Sequence, residues 1–108
     1  MTAIKHLAYL KLLCEYCKQK SPAQFKALVN SSSPRELKAV CEIILNVLQG
    51  KLPAPVAKLK KYRNTIRTLA DTKLGAKPRK RHLKRSGRGF LGPLLSVGIP
   101  ALIALFRS

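Results

Sequence analysis

Acidic side chains are what this sequence has least of. Glu15, Glu36, Glu42 and Asp71 stand against 22 Lys and Arg in 108 residues. Four scattered carboxylates form no convincing acid–base pair, and Glu36 has a local capping role. No Gly-rich phosphate loop or nucleophile motif occurs either, so the chain is expected not to be an enzyme. Cysteine is scarce and odd in number, Cys14, Cys17 and Cys41, which makes no self-contained disulfide framework. Lys5, His6 and Lys11 interrupt the stretch from Met1 to Leu13, so no N-terminal signal peptide is expected. These features place the chain in a reducing compartment, the cytosol or nucleus or a particle assembled there. Cys14 and Cys17 form a C-x-x-C, but a structural zinc site takes four ligands, and Cys41, His6 and His82 alone remain to complete it. Both thiols lie on an apolar helical stripe, where cysteine packs as a small hydrophobe. His6 shares helical spacing with Tyr9, Leu13 and Tyr16 and reads as packing. No cofactor or metal is expected.

What the sequence does have is positive charge. A formal net charge of +18 sets up a field of several kT around so small a molecule, marks a polyanionic partner, either nucleic acid or an anionic membrane surface, and repels itself against a large compact core. The length allows one small domain with tails. The charge is uneven: residues 1–72 carry 13 basic and four acidic groups, residues 73–108 nine basic and none acidic. The densest block, Lys77-Pro78-Arg79-Lys80-Arg81-His82-Leu83-Lys84-Arg85-Ser86-Gly87-Arg88, runs almost directly into an uncharged tail from Phe90 to Phe106 that holds Gly92, Pro93, Gly98 and Pro100.

Up to about residue 73 the apolar pattern is helical, and the fold class expected is all-α, a small bundle of three to four short amphipathic helices. Ala3, Leu7, Leu10, Cys14 and Cys17 form the stripe of a first helix, about Ala3 to Gln19. Ser21-Pro22-Ala23-Gln24 starts a second, burying Phe25, Leu28 and Val29. Ser33-Pro34-Arg35-Glu36 is a stronger capping box ahead of Leu37, Val40, Cys41, Ile44, Val47 and Leu48, and Gly50 ends that helix. After a turn at Lys51-Leu52-Pro53-Ala54-Pro55, a fourth helix, about Pro55 to Thr72, buries Val56, Leu59, Tyr62, Ile66 and Leu69. Lys60, Arg63 and Arg67 fall on another of its faces. The expected organisation is a helical domain (1–73), a disordered basic arm (74–89) lacking any hydrophobic period, and an apolar C-terminal segment (90–108) able to form helix. A core of roughly 70 residues seldom supplies more than about 3–5 kcal/mol, so homo-oligomer formation is an open route to stability.

Lys and Arg bind nucleic acid by neutralising phosphates and releasing counterions, without sequence choice. Lys77, Arg79, Lys80, Arg81, Lys84, Arg85 and Arg88 are the candidate contacts, and Lys60, Arg63 and Arg67 extend them. The same run also resembles a nuclear-targeting signal or a solvated linker. As a helix the 17 uncharged tail residues would span roughly 25 Å, short of the roughly 30 Å of a bilayer core. Three readings of the tail stand side by side: membrane contact, docking to a protein shell, and completion of the bundle core. Phe90, Leu91, Leu94, Leu95, Val97, Ile99, Leu102, Ile103, Leu105 and Phe106 are its candidate contacts.

Arg79-Lys80-Arg81-His82 through Arg88, then Gly89-Phe90-Leu91-Gly92-Pro93-Leu94-Leu95 and an Ile/Ala/Leu-rich end, resemble the adenovirus core protein X family, precursors of the mu peptide, and its counterparts in adintoviruses and Polinton or Maverick elements. Ile44-Leu45-Asn46-Val47-Leu48-Gln49-Gly50-Lys51-Leu52-Pro53 followed by Lys60-Lys61-Tyr62 looks like short reading frames of those elements. The resemblance implies a minor virion protein that condenses double-stranded DNA, found in the virion and, during assembly, in the host nucleus, with anionic membrane or capsid proteins as further partners. It departs from the family at Arg85-Ser86-Gly87-Arg88-Gly89, where Arg85 stands in place of the apolar residue of a viral-protease site. The rival class is a membrane-anchored or membrane-active protein whose basic block flanks the apolar segment. A helical adaptor with a nuclear-targeting arm is a third.

Overall fold

The computed structural model describes residues 2–53, 56–71 and 73–107, with the side chains of Thr2, Val56, Lys58, Phe106 and Arg107 outside the description. Among the described residues every regular element is helical: α1 (Thr2–Lys5), α2 (Leu7–Cys17), α3 (Ala23–Ser31), α4 (Pro34–Leu48), α5 (Val56–Leu59), α6 (Arg63–Leu69), α7 (Ala76–His82) and α8 (Arg88–Arg107). A 3₁₀ turn, Lys60–Tyr62, joins α5 to α6, and a π turn, Leu83–Gly87, carries α7 into α8. The expected boundaries at Ala54, Pro55 and Thr72 and the expected burial of Val56 lie outside the described residues.

The central helix α4 is the one whose sequence is most explicit. Ser33 Oγ accepts the Glu36 N–H at 3.2 Å, and the Ser33 N–H donates to Glu36 Oε1 at 2.8 Å. That reciprocal box satisfies two donors the first turn would leave free, with Pro34 inside the start. At the other end Gly50 takes φ +75. Its N–H reaches the Val47 carbonyl at 3.1 Å, while Lys51 N–H reaches Asn46 O at 2.8 Å, the paired bonds of a Schellman ending that favours glycine at that position. Leu37, Val40, Cys41 and Ile44 are buried as expected, joined by Ala39 and Ile43, whereas Leu48 is 47% exposed. α3 begins more weakly: Ser21 Oγ accepts the Ala23 N–H at 3.3 Å, but Pro22 occupies the cap position. The first expected helix is interrupted at His6 and the fourth at Lys60–Tyr62.

The segment 74–89 is expected to be a disordered arm, but residues 76–89 are helical. Pro78 sits in the first turn, where its missing N–H has no intrahelical acceptor to lose. Downstream, Leu83, Gly87, Phe90, Leu91, Leu94, Leu95, Gly98, Ile99 and Leu102 are all buried. Their spacings of three and four make one inner stripe running from the basic block through the tail. The charged residues between hid that period. α8 packs on α2 and α5, α7 packs on α4 and α6, and α1 packs on α4. Cys14 Sγ donates to the Gly92 carbonyl at 3.8 Å and lies 3.6 Å from Ser96 Oγ across the α2–α8 contact. Phe25 and Phe90 are the largest fully buried side chains, and the Phe90 ring meets Tyr62 at 5.6 Å between centroids. The radius of gyration, 12.5 Å, matches the roughly 13 Å of a folded chain near 100 residues, which leaves no room for an extended arm.

Pro93 and Pro100 lie inside α8, Pro93 half-buried and Pro100 exposed. Each proline removes one bond, to the carbonyl four residues before it. Those carbonyls, on Gly89 and Ser96, belong to exposed residues, where water can replace the lost N–H.

Candidate nucleic-acid interface

The π turn and its flanking helices sort the basic block into two sets. One set faces the carbonyl ends of earlier helices. Lys80 Nζ donates to the Asn30 backbone carbonyl at 2.8 Å, and Lys84 Nζ donates to Asn30 Oδ1 at 2.8 Å, at the last turn of α3. Arg88 Nη2 donates to the carbonyls of Gln19 and Lys20, just beyond α2. Arg79 Nη2 donates to the Asp71 carbonyl at 3.3 Å, just beyond α6. A helix C-terminus has unpaired carbonyls and about half a negative charge, and a cation there is worth about 0.3–1 kcal/mol when exposed. Lys80, Lys84 and Arg88 are spaced by four, so one row along the basic helix reaches two such ends and Arg79 beside it a third. Like charges at that spacing repel by about 0.2–0.5 kcal/mol per pair, which the carbonyl partners and the burial of Leu83 offset.

The other set points outward. Lys77, Arg81 and Arg85 are exposed, spaced by four, over roughly 12 Å at 1.5 Å per residue. Lys60 is exposed on the 3₁₀ turn and Arg63 and Arg67 on α6, and α6 packs against α7, so most of the second cationic row lies on a neighbouring helix. Lys61 Nζ sits 5.3 Å from the centroid of the Tyr62 ring, a cation–π contact that anchors it. Residues 72–107 contain no carboxylate, which leaves the outward row uncompensated from its own helix. Cations spaced in this way are chemically able to neutralise phosphates, by position and number.

Of the tail residues expected to contact a membrane or shell, Phe90, Leu91, Leu94, Leu95, Ile99 and Leu102 sit in the core, and Ile103 is half-buried. Val97 and Leu105 are the exposed ones, and Phe106 lies outside the described residues. The reason is the inner stripe: these side chains complete the surface left open by α2 and α5. The helical run from Ala76 to Leu105 is nonetheless long and apolar enough to cross a membrane, by length and composition, with mean hydropathy 1.6 in its most apolar window. Within that window 44% is buried inside the fold.

The thiols are free and sheltered. Burial pushes the Cys17 thiol up to about 12, with the neighbouring Cys14 adding to the rise and Arg88 opposing it. Burial also raises Cys41, against Arg79. The Tyr9 phenol is pushed up to about 12 by burial, against its bond to Ser32. The Tyr9 and Ser32 oxygens lie 2.7 Å apart, and Ser32 Oγ also donates to the Leu28 carbonyl at 2.7 Å. No group of three or more His, Cys, Asp or Glu able to hold a metal occurs among the described residues.

The part of the site that sequence reasoning missed is Asn30 and the helix ends at Gln19, Lys20 and Asp71. The one available signal was the four-residue spacing of the cations, which implies two rows once residues 76–88 are helical. Comparison of the chain with protein families, curated proteins and solved structures finds no match.

Proposed function

We propose that this is a non-enzymatic, sequence-independent DNA-binding protein that neutralises and condenses duplex DNA, acting as a minor core protein of a virion assembled in a host nucleus. The observation that carries it is the exposed row Lys77, Arg81 and Arg85 beside Lys60, Arg63 and Arg67 on a chain of net charge +18. Spaced cations on a rigid helix meet phosphates with less ordering cost than a disordered arm would. The virion role draws on the resemblance to adenovirus core protein X.

The test is duplex affinity across a salt series. If about six phosphates are engaged, log K falls against log salt with a slope of roughly −5. Replacing Lys77, Arg81 and Arg85 together by Gln makes that slope shallower by roughly 2.7. Replacing Lys80, Lys84 and Arg88 together by Gln changes it less, because their charged groups already have carbonyl partners. Equal changes from the two variants would remove the outward row from the proposal.

A second reading is favoured by the length and mean hydropathy of the helix from Ala76 to Leu105. In it the basic residues flank an apolar segment of a membrane-anchored or membrane-active protein, and the helix exchanges its place in the bundle for lipid. Tight liposome association with negligible DNA affinity at physiological salt selects that reading.

A further inference from the structure

The turn that ends α4 and the short helices after it enclose a groove of about 840 Å³. Leu52, Leu59 and Ile66, all buried, line it together with the half-exposed Leu48. Lys60 and Arg63, both exposed, also line it, and none of its lining residues is acidic. The apolar groups therefore lie deep and the cations at the mouth. That polarity, an apolar cleft of several hundred Å³ with a few convergent charges, is the pattern of a small-ligand site. It matches one ligand class by both shape and charge, a long hydrocarbon chain ending in an anion. We propose that the groove binds a long-chain fatty acid, its chain against Leu48, Leu52, Leu59 and Ile66 and its carboxylate between Lys60 and Arg63.

A nucleic acid is a poor match for the groove itself, since its sugar–phosphate backbone has no long apolar run to set against four aliphatic side chains. The cations at the mouth are shared with the proposed DNA surface, so DNA and the fatty acid compete for Lys60 and Arg63 while only the fatty acid occupies the cleft. The proposal stands whether or not DNA proves to be the physiological partner.

The test is titration of the full chain with the fluorescent fatty acid cis-parinaric acid at physiological salt. Saturable binding of one probe per chain is expected. Ala57 lines the same groove and is exposed, so Ala57→Trp obstructs the cleft without entering the core. It is expected to weaken probe binding at least tenfold while circular dichroism, Tm and DNA affinity stay as in the parent. Oleate is expected to displace the probe more effectively than oleyl alcohol, and Lys60→Gln with Arg63→Gln to abolish that preference. Non-saturable probe uptake, or unchanged binding by Ala57→Trp, overturns the proposal. So does self-association of the chain that Ala57→Trp abolishes with no probe bound, which would make a second copy the occupant. Adsorption to phosphatidylglycerol vesicles unaffected by Ala57→Trp, with no binding of the soluble probe, also overturns it.

Discussion

α4 and the long helix from α7 into α8 reach the same secondary structure by opposite routes. α4 is defined at close range: a reciprocal cap at Ser33 and Glu36, a positive-φ glycine at its end, and an apolar stripe buried from Leu37 to Ile44. The second helix has no side-chain cap at its start, a run of like charges, a π turn, and Pro93 and Pro100 in its interior. Its local preferences argue against it, and it persists because Phe90, Leu91, Leu94 and Leu95 are fully buried and its cations meet the ends of other helices. Tertiary packing overrides propensity where the buried stripe is long enough.

If that contrast is right, the second helix breaks from its buried face and α4 weakens from its ends. Phe90→Ala removes a fully buried ring that packs at a tilt against Tyr62 and is expected to cost about 3–5 kcal/mol in urea unfolding. Gly87→Val comes next. A Cβ there would lie 2.9 Å from the Phe25 ring, and the crowding is expected to cost about 1–3 kcal/mol, more than the few tenths gained from replacing glycine in a helix. Ser33→Ala, which deletes the α4 cap, is expected to cost about 1 kcal/mol. A Ser33→Ala loss as large as that of Phe90→Ala would erase the distinction between the two helices.

The smallest effect is in pH. Cys17 and Tyr9 are held protonated in the fold up to about 12, whereas their ordinary values are 9.0 and 10.0. Above about pH 9 the unfolded chain therefore releases protons that the folded chain keeps, and stability falls as pH rises toward 12. The contribution is fully present below pH 9. Cys17→Ala removes the thiol's share, so the difference in Tm between parent and variant is expected to shift against the parent as pH rises from 8 to 10.5. A difference that stays constant over that window would show that the thiol is as open to ionisation in the fold as in the unfolded chain.

The all-helical class, the box at Ser33 and Glu36, the stop at Gly50 and most of the α4 stripe were legible because each signal lies within a few residues of what it controls. The interruption at His6 was not, since Ala3 and Leu10 keep their helical spacing on either side of it. Nor was the helix at 76–87. Leu83 is the one large apolar residue in that block, and its membership in a stripe with Phe90 and Leu94 is invisible until Gly87 is counted as a buried position. For the candidate interface, the spacing of Lys77, Arg81 and Arg85 was in plain view. Its separation from Lys80, Lys84 and Arg88 was not, because that depends on Asn30 and on the end of α2, some 50 to 69 positions away.

The pairing of α2 with α8 also bears on how the molecule comes together in time. Cys14 meets Gly92 and Ser96 across 78 and 82 positions of chain. A small helical protein normally gains speed from contacts between neighbours in sequence, and here a principal contact joins distant segments. The loop must close before that interface rewards it, at an entropic cost that grows slowly with loop length. During synthesis the apolar face of α2 stays uncovered until residues 90–102 have emerged. For that interval the nascent chain offers cations to any passing polyanion before it has a complete interior.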